Sequence, residues 1–343
     1  MSVITGERML RVNPFRRLLV RPETGAVVGS IAVWILFAIV AGSSGFLTLR
    51  GTSSYLSVWA EYTILAVFVA LLMIGGEFDL SVGSTVGATG MIIVILSTQY
   101  GWNVWASFVV ALIFAVLIGM LNGYLVLRTG LPSFIVTLGT NYILLGVTTG
   151  LTTLITGLTV VSGLDHAPGY SSAHAVFATR LSSQGFPIEI IWALALVALA
   201  TWLLTRTSFG NWIFGVGGDA NAARNTGVPV ARVKILLFIG TAVSACLLAM
   251  IQVVTTTDAD VLRGQGYEFV AIVAAVVGGV LLTGGYGSAI GAMFGALAFA
   301  IVQQGIVFAG VDADWYKAFI GLILLLAVLL NSYVRKLALE ARR

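Results

Sequence analysis

Charge is what this sequence has least of. Its 343 residues carry 18 Lys and Arg and 14 Asp and Glu, 9% in all, where soluble globular domains run at about a quarter. With 59% hydrophobic residues and a mean hydropathy of +1.02, the composition excludes a soluble domain. The single cysteine, Cys246, lies within an apolar run, so no intrachain disulfide is possible and packing is its expected role. Only two histidines occur, His166 and His174, in one outer stretch far in sequence from any carboxylate within an apolar run, so no metal or acid–base cluster is expected. His-Glu-x-x-His, Gly-x-Ser-x-Gly and the phosphate-loop pattern Gly-x-x-x-x-Gly-Lys-Ser/Thr are all missing. Neither a catalytic centre nor a nucleotide site is therefore evident, which leaves a carrier or a subunit of one.

What the chain has in abundance is apolar runs of about twenty residues, each long enough to cross a hydrocarbon core of about 30 Å as helix. Ten are predicted, near 27–47, 56–75, 80–98, 104–127, 133–156, 188–204, 234–254, 268–283, 288–308 and 316–333. They are continuous, without the alternation of a membrane β-barrel, so the expected class is all-α: a polytopic helical membrane protein of about ten transmembrane helices. Charge placement tests that count independently. With the N and C termini both cytoplasmic, inner segments hold Arg8, Arg11, Arg16, Arg17, Arg21, Arg128, Arg206, Arg224, Arg232, Lys234, Arg335, Lys336, Arg342 and Arg343, and only Arg50, Arg180, Arg263 and Lys317 lie outside. That fourteen-to-four bias is the positive-inside pattern. The net charge of +4 then reads as membrane orientation and implies no nucleic-acid partner. Residues 1–25 are Arg-rich, lack the apolar core and cleavage site of a signal peptide, and read as a cytoplasmic tail. Residues 26–334 form the membrane domain, with an outer loop at 157–187 and a cytoplasmic loop at 205–234, and 335–343 form a second cytoplasmic tail.

The 205–234 loop is a hydrophilic break in an apolar chain. Within it, Ala220, Asn221, Ala222, Ala223, Arg224 and Asn225 suit a short helix: alanines favour helix, Gly217, Gly218 and Gly227 bracket it, and Asp219 is placed to cap it. Such a helix is expected to meet a soluble partner through Arg224; a solvated loop whose arginine only enforces topology is the alternative. Glu77 and Asp79 lie between the second and third runs, where burying an unpaired carboxylate costs a few kcal/mol. Asp79 is expected to cap the third helix, accepting from the backbone N–H of Ser81 or Val82, or to brace the Gly-rich turn where a partner docks. Glu77 is either solvated or paired. Small residues recur at Gly83-Ser84-x-x-Gly87-Ala88 and at Gly287-Ser288-x-x-Gly291-Ala292, continuing to Gly295, a spacing that lets helices approach closely in lipid.

Polar residues inside the runs include Glu61, Asn122, Asn141, Gln252, Gln303 and Gln304. They are candidates for a solute path, because a hydroxyl-rich solute leaving water needs hydrogen-bond partners, and each also reads as an interhelical bond. No Lys or Arg falls in the middle of a run, which favours a neutral solute. Trp59, Trp102, Trp105, Trp192 and Trp315 lie near the outer ends and read as an interfacial belt. Asp165, Asp258, Asp260, Asp312 and Asp314 collect in outer segments, an acidic rim suited either to docking a basic partner or to solvation.

Four stretches resemble one family. Gly-Gly-Glu-Phe-Asp-Leu-Ser-Val-Gly-Ser at 75–84, with Asp79, Ser81, Gly83 and Ser84, is similar to a signature of the permeases of bacterial monosaccharide ATP-binding-cassette (ABC) importers, the ribose, xylose and autoinducer-2 type. Asn122-Gly123 with the Gly130–Thr140 stretch, and the 208–228 segment, resemble the same family. So does the run from Gly264 through Gly266, Tyr267, Glu268, Gly278 and Gly279 to Gly287. Together they span roughly 55–334 in the family's order. Two positions depart from its pattern: Glu77 stands where Gly is usual, and Asp219 where Asn is usual. The resemblance implies a type II-like importer permease in the bacterial inner membrane, paired in the lipid bilayer with a second copy of itself. It further implies a cytoplasmic ATPase subunit that binds the ATP and Mg, and a periplasmic sugar-binding protein, with no cofactor on this chain and no reaction of its own. The 217–227 segment would then carry the motion of the ATPase into the membrane. Rival readings are a related permease for branched-chain amino acids or nucleosides, and an ion-coupled secondary carrier, for which Glu61 is the acidic candidate nearest the midplane.

Overall fold

A computed structural model describes residues 22–312 except Gln184, together with 315, 318, 319, 321 and 322. Most of the expected N-terminal tail, most of the 316–333 run, the C-terminal tail, Asp314 and Lys317 lie outside the described residues. The rest is mostly helix. Among the described residues, seven helices are long and apolar enough to cross a membrane.

The first, α1 (Pro22–Ala41), runs into a π-helical turn at Gly42–Phe46, where Gly45 takes φ 102°. Helix formation thus starts inside the segment expected to be tail. Next comes α2 (Leu49–Ile74), whose N-terminus is capped by Thr48 Oγ1 accepting from Gly51 N at 3.1 Å. This helix begins seven residues before the hydropathic edge at 56, because Thr52, Ser53 and Ser54 are polar enough to mask a stretch that the cap makes helical. Three helices follow: α3 (Val82–Thr98), α4 (Val104–Thr129) and α5 (Ser133–Thr156). The segment 157–188 holds β1 (Val160–Ser162) and α6 (Tyr170–Phe177), and leads into α7 (Glu189–Arg206).

The expected cytoplasmic loop is almost wholly helical. It contains α8 (Ser208–Gly218) and α9 (Ala220–Asn225) and ends inside α10 (Val230–Thr256), which begins four residues before the hydropathic edge at 234. Then come β2 (Asp258–Asp260), α11 (Tyr267–Val277) and α12 (Ala289–Phe308). The strand β2 pairs antiparallel with β1, Val161 opposite Ala259, and so ties the segment after α5 to the one after α10.

The expected 268–283 span is overturned in extent: α11 has 11 residues, about 16 Å of helix, roughly half a hydrocarbon core. Glycine ends it. Gly279 takes φ 89°, Gly279 N bonds Val276 O and Val280 N bonds Ala275 O, a Schellman stop. The same device ends α2, where Gly76 takes φ 84°, Gly76 N bonds Met73 O and Glu77 N bonds Leu72 O. Likewise α3, at 17 residues, is short for a complete crossing.

Burial separates the centre of the bundle from its exposed shell. The apolar windows of α2 and α10 are 78% buried, those of α1 and α5 only 17%, which puts the first pair in the interior. Against α10 pack α2, α3 and α4, and α12 packs against α1, α2 and α11. Backbone approach is close: a methyl group at Gly119 of α4 would lie 2.6 Å from Phe238 O and Ile239 Cα of α10. Cys246 is buried on α10 as packing. Trp59, expected at the interface, is instead 5% exposed, with its indole N–H donating to Met293 O at 3.1 Å.

Candidate functional site

A cavity of about 570 Å³ lies between the N-terminal half of α2, the 177–187 segment, the start of α7 and the end of α10. Ser53, Ser57 and Glu61 are spaced by four, so they line it from one face of α2. Glu61 sits deepest, eleven residues along from Arg50, about 16 Å of helix. Its Oε2 accepts from Gln252 Nε2 at 2.7 Å and from the Tyr267 hydroxyl at 3.2 Å. Tyr267 in turn stands edge-on to Tyr62, with ring centroids 5.6 Å apart. Glu189, the first residue of α7, lines the same cavity and accepts a hydrogen bond from Ser57.

The six polar residues expected along a path divide. Glu61 and Gln252 are directly bonded; Gln303 joins through Tyr62, whose hydroxyl donates to its Oε1 at 2.6 Å; and Gln304 accepts from Ser54 of the cavity wall at 2.8 Å. Asn122 belongs to a different cluster. It donates to Ser81 Oγ at 2.9 Å and accepts from Thr140 at 2.7 Å. Asn141 lies on α5 and, among the described residues, joins neither group.

Asp79 organises that second cluster. One oxygen accepts from Ser81 N at 2.9 Å and Ser81 Oγ at 2.6 Å, the other from Thr241 Oγ1 of α10 at 2.7 Å. Of the two acceptances expected from its neighbours, Ser81 is therefore the one made. The cap position of α3 is Ser81 itself, and Asp79 braces the start of that helix to α10. Ser84 donates back to Ser81 O at 3.0 Å. Glu77 is paired, with Lys234 of α10, in a contact largely shielded from solvent.

The small-residue stripes have two kinds of neighbour. A methyl group at Gly295 would lie 2.0 Å from Ala274 O, and one at Gly291 2.0 Å from Gly278 O, so this stripe seats α11 against α12 as helix packing predicts. Gly83 and Gly87 instead face the non-helical chain at 261–264 and, at Gly83, the Glu268 side chain as well. Methyl groups there would lie 2.4 Å from Gly264 O and 2.9 Å from Arg263 O, and Glu268 Oε2 would be 2.1 Å from the first. The segment 261–266 therefore descends along α3 before α11 begins. Gly266 N donates to both oxygens of Glu268, at 3.2 and 3.1 Å, closing that turn.

At the opposite end, Asp219 Oδ1 accepts from Asn221 N at 2.8 Å and Ala222 N at 3.0 Å, and α9 spans Ala220–Asn225, as the residues predict. Gly227, at φ 88°, closes it. Ala223 is buried and Arg224 exposed. Gly217 is buttressed by the membrane helices: Gly285 N donates to Ile74 O at 2.8 Å directly beneath it. After α10, Asp258 is bonded to Arg263 at 2.5 Å and to Thr256 at 2.5 Å. Partial burial would raise its pKa, but the Thr256 and Arg263 hydrogen bonds and the Arg263 charge hold the carboxyl below the usual range. Asp260 accepts from Leu262 N at 2.9 Å, and Asp165 lies beside His166.

Residues 51–328 match the family described as branched-chain amino acid transport system / permease component. The chain belongs to this family. The permease is 30% identical to the ribose import permease protein of Escherichia coli K12, over 88% of this chain and 92% of that one. It is 28% identical to the xylose transport system permease protein of the same strain, over 96% of this chain and all of that one. With the autoinducer 2 import system permease protein of Photorhabdus laumondii it shares 31% identity, over 78% and 79%. No solved structure matches.

Sequence reasoning missed part of the cavity in this permease. Ser53, Ser54, Glu189, Thr255, Arg50 and Arg180 all line it, and each lies at or beyond a hydropathic edge, where polar residues are assigned to water. The four-residue spacing of Ser53, Ser57 and Glu61 was the available signal.

Proposed function

We propose that the chain is the membrane-spanning subunit of an ABC importer that carries a monosaccharide or related polyol across the bacterial inner membrane. What carries this reading is the end-to-end similarity to ribose and xylose import permeases. The hydroxyl-lined outer cavity agrees with it. ATP and Mg are taken by a partner ATPase, a second copy completes the membrane unit, and a periplasmic sugar-binding protein delivers the solute. On this reading α3 and α11 each complete a crossing with the non-helical chain before them, which gives ten passes with both ends inside, in keeping with the fourteen-to-four charge bias.

The division of labour follows from the two ends of the molecule. Solute enters from the outer cavity and passes Glu61. Gly217, Gly218, Asp219, Gly227 and the α9 residues receive the motion of the ATPase, with Arg224 as the exposed charge at its surface. The Gly217 contact with the end of α2 offers a mechanical route from α9 to the helix that bears Glu61.

Reconstitution of the complex in liposomes tests the proposal. Uptake of labelled D-ribose or D-xylose that needs both ATP and the binding protein is the expected result. Uptake by the chain alone, driven by a proton or sodium gradient, would replace this reading with an ion-coupled carrier using Glu61.

A further inference from the structure

We propose that Lys234 is a positioning residue for transport: its ion pair with Glu77 anchors the far end of the coupling segment to the turn between α2 and α3, so that α10 follows α9 in both directions of its movement. This rests on the importer reading above and adds to it a link that bears tension.

The turn at 75–80 is a junction whose successive residues face different helices. Gly75, Glu77 and Asp79 face α10: a methyl group on Gly75 would lie 2.6 Å from Leu237 Cδ1, Glu77 pairs with Lys234, and Asp79 accepts from Thr241 at 2.7 Å. Lys234, Leu237 and Thr241 are spaced by three and four, which is one face of that helix. Phe78 N and Leu80 N donate to α5 instead, to Ser133 Oγ at 2.9 Å and Thr137 Oγ1 at 3.0 Å. Gly76 faces the coupling segment. A methyl group on it would lie 3.5 Å from Gly217 Cα, and one on Gly284 would lie 2.9 Å from Gly76 Cα and 2.8 Å from Gly217 O.

The chain therefore leaves this junction at Gly217, forms α9 and returns to it at Lys234, one turn into α10. The return is short and closed. Val228 N bonds Ala223 O at 3.1 Å and Gly227 N bonds Arg224 O at 3.0 Å, so only Pro229 separates the closed end of α9 from α10.

The two anchor points differ in what they bear. Gly217 and Gly76 abut backbone to backbone, a contact that resists a push and forfeits only dispersion when pulled apart. Lys234 and Glu77 resist separation, because their side chains are only 17% and 9% exposed and parting them strands two shielded charges. A motor that closes and reopens moves α9 both ways, and the ion pair delivers the return stroke to α10.

Sugar carried per ATP hydrolysed is the measurement, with the complete importer in liposomes, its binding protein and labelled D-ribose or D-xylose. Glu77→Gln and Lys234→Met should each lower that ratio by about fivefold or more while ATP hydrolysis continues. Each single variant also leaves a buried charge unpaired, so two doubles separate linkage from stability. The exchanged pair, Glu77→Lys with Lys234→Glu, should restore the ratio to about wild type. Glu77→Leu with Lys234→Met should keep a thermal midpoint close to wild type and stay uncoupled. Wild-type coupling in that apolar double overturns the inference and makes the pair packing alone. Loss of coupling in a folded exchanged pair overturns it as well. Where a double fails to accumulate, Lys234→Arg decides: it keeps the charge and should stay coupled, and a fivefold loss at normal midpoint overturns the link. A wild-type complex that imports neither sugar with ATP and binding protein overturns the importer reading itself.

Discussion

Gly217 and Gly218 are neighbours near the end of α8, yet a methyl group meets opposite surroundings on each. On Gly217 it would lie 1.7 Å from Ile74 O, 2.7 Å from Gly285 N and 2.8 Å from Ile74 C. Against an ordinary contact of about 3.5 Å, the first separation is short by nearly 2 Å. All three atoms are backbone, so no side chain can swing away. Gly217→Ala must therefore push the turn at Gly285 off the end of α2 and break the 2.8 Å bond from Gly285 N to Ile74 O. Overpacking of this kind costs about 1–3 kcal/mol, and leaving the two groups unpaired costs about 1–3 more. Alanine's helix preference returns at most about 1. The net loss should be about 1–5 kcal/mol. Gly218 has nothing within 4 Å of an added methyl, so Gly218→Ala should be neutral or stabilising by up to about 1 kcal/mol. Unfolding of the purified permease, followed by tryptophan fluorescence in mild detergent against increasing denaturant, separates the two. If α9 drives the membrane helices through this contact, Gly217→Ala should also lose transport while ATP hydrolysis continues, and Gly218→Ala should retain it. Equal effects of the two alanines on stability would refute the packing argument.

Glu77→Gln leaves Lys234 shielded and unpaired and should cost about 3 kcal/mol, whereas replacing both by Leu and Met should cost far less; a double-mutant cycle showing additivity within about 0.5 kcal/mol would remove the pair from the account. Arg224→Glu should leave insertion intact and uncouple transport from ATP hydrolysis, and wild-type uptake at normal abundance would count against a role at the ATPase surface. Because the folded pKa of Asp258 is depressed, its contribution to the outer clamp is present above the ordinary carboxylate value of 3.8 and fades as pH falls through the lower folded value. Hydrogen exchange across 257–266 should therefore hold its protection from neutral down to mildly acid pH and lose it only below that range, while Asp258→Asn should be less protected at neutral pH and lose this dependence.

Local chemistry was readable in the sequence. The α9 helix follows from three alanines after a capping aspartate, because that inference needs no distant partner. Depth was not readable. Hydropathy assigns polar residues at the end of a run to water, so it left Ser53 and Ser54 outside and passed over Glu189 at the very start of the 188–204 run, although capping by Thr48 and packing of the 177–187 segment bring them into one cavity. It also read 268–283 as one span, since leucines and valines continue past Gly278 and Gly279; the left-handed backbone at Gly279 ends the helix regardless of hydropathy. Asp79 shows the intermediate case. Its bond to Ser81 is local and was expected, while the bond to Thr241, 162 positions away, is what makes it a brace.

The shortness of α11 has a physical counterpart in the glycines of α3. Irregular backbone at membrane depth survives only where protein covers its polar groups. The 261–266 segment satisfies this by lying against Gly83 and Gly87, where no side chain intervenes, and by tying Gly266 N to Glu268. That descent starts α11 deep enough for Tyr267 to reach Glu61 on α2 and Gln252 on α10. A full-length helix in its place would carry Tyr267 towards the outer surface and leave the Glu61 carboxylate with Gln252 alone. The family-like residues at 81–84 and 264–268 thus act together, the first providing the groove and the second the chain that fills it, and the deepest acceptor of the cavity is held in place by both.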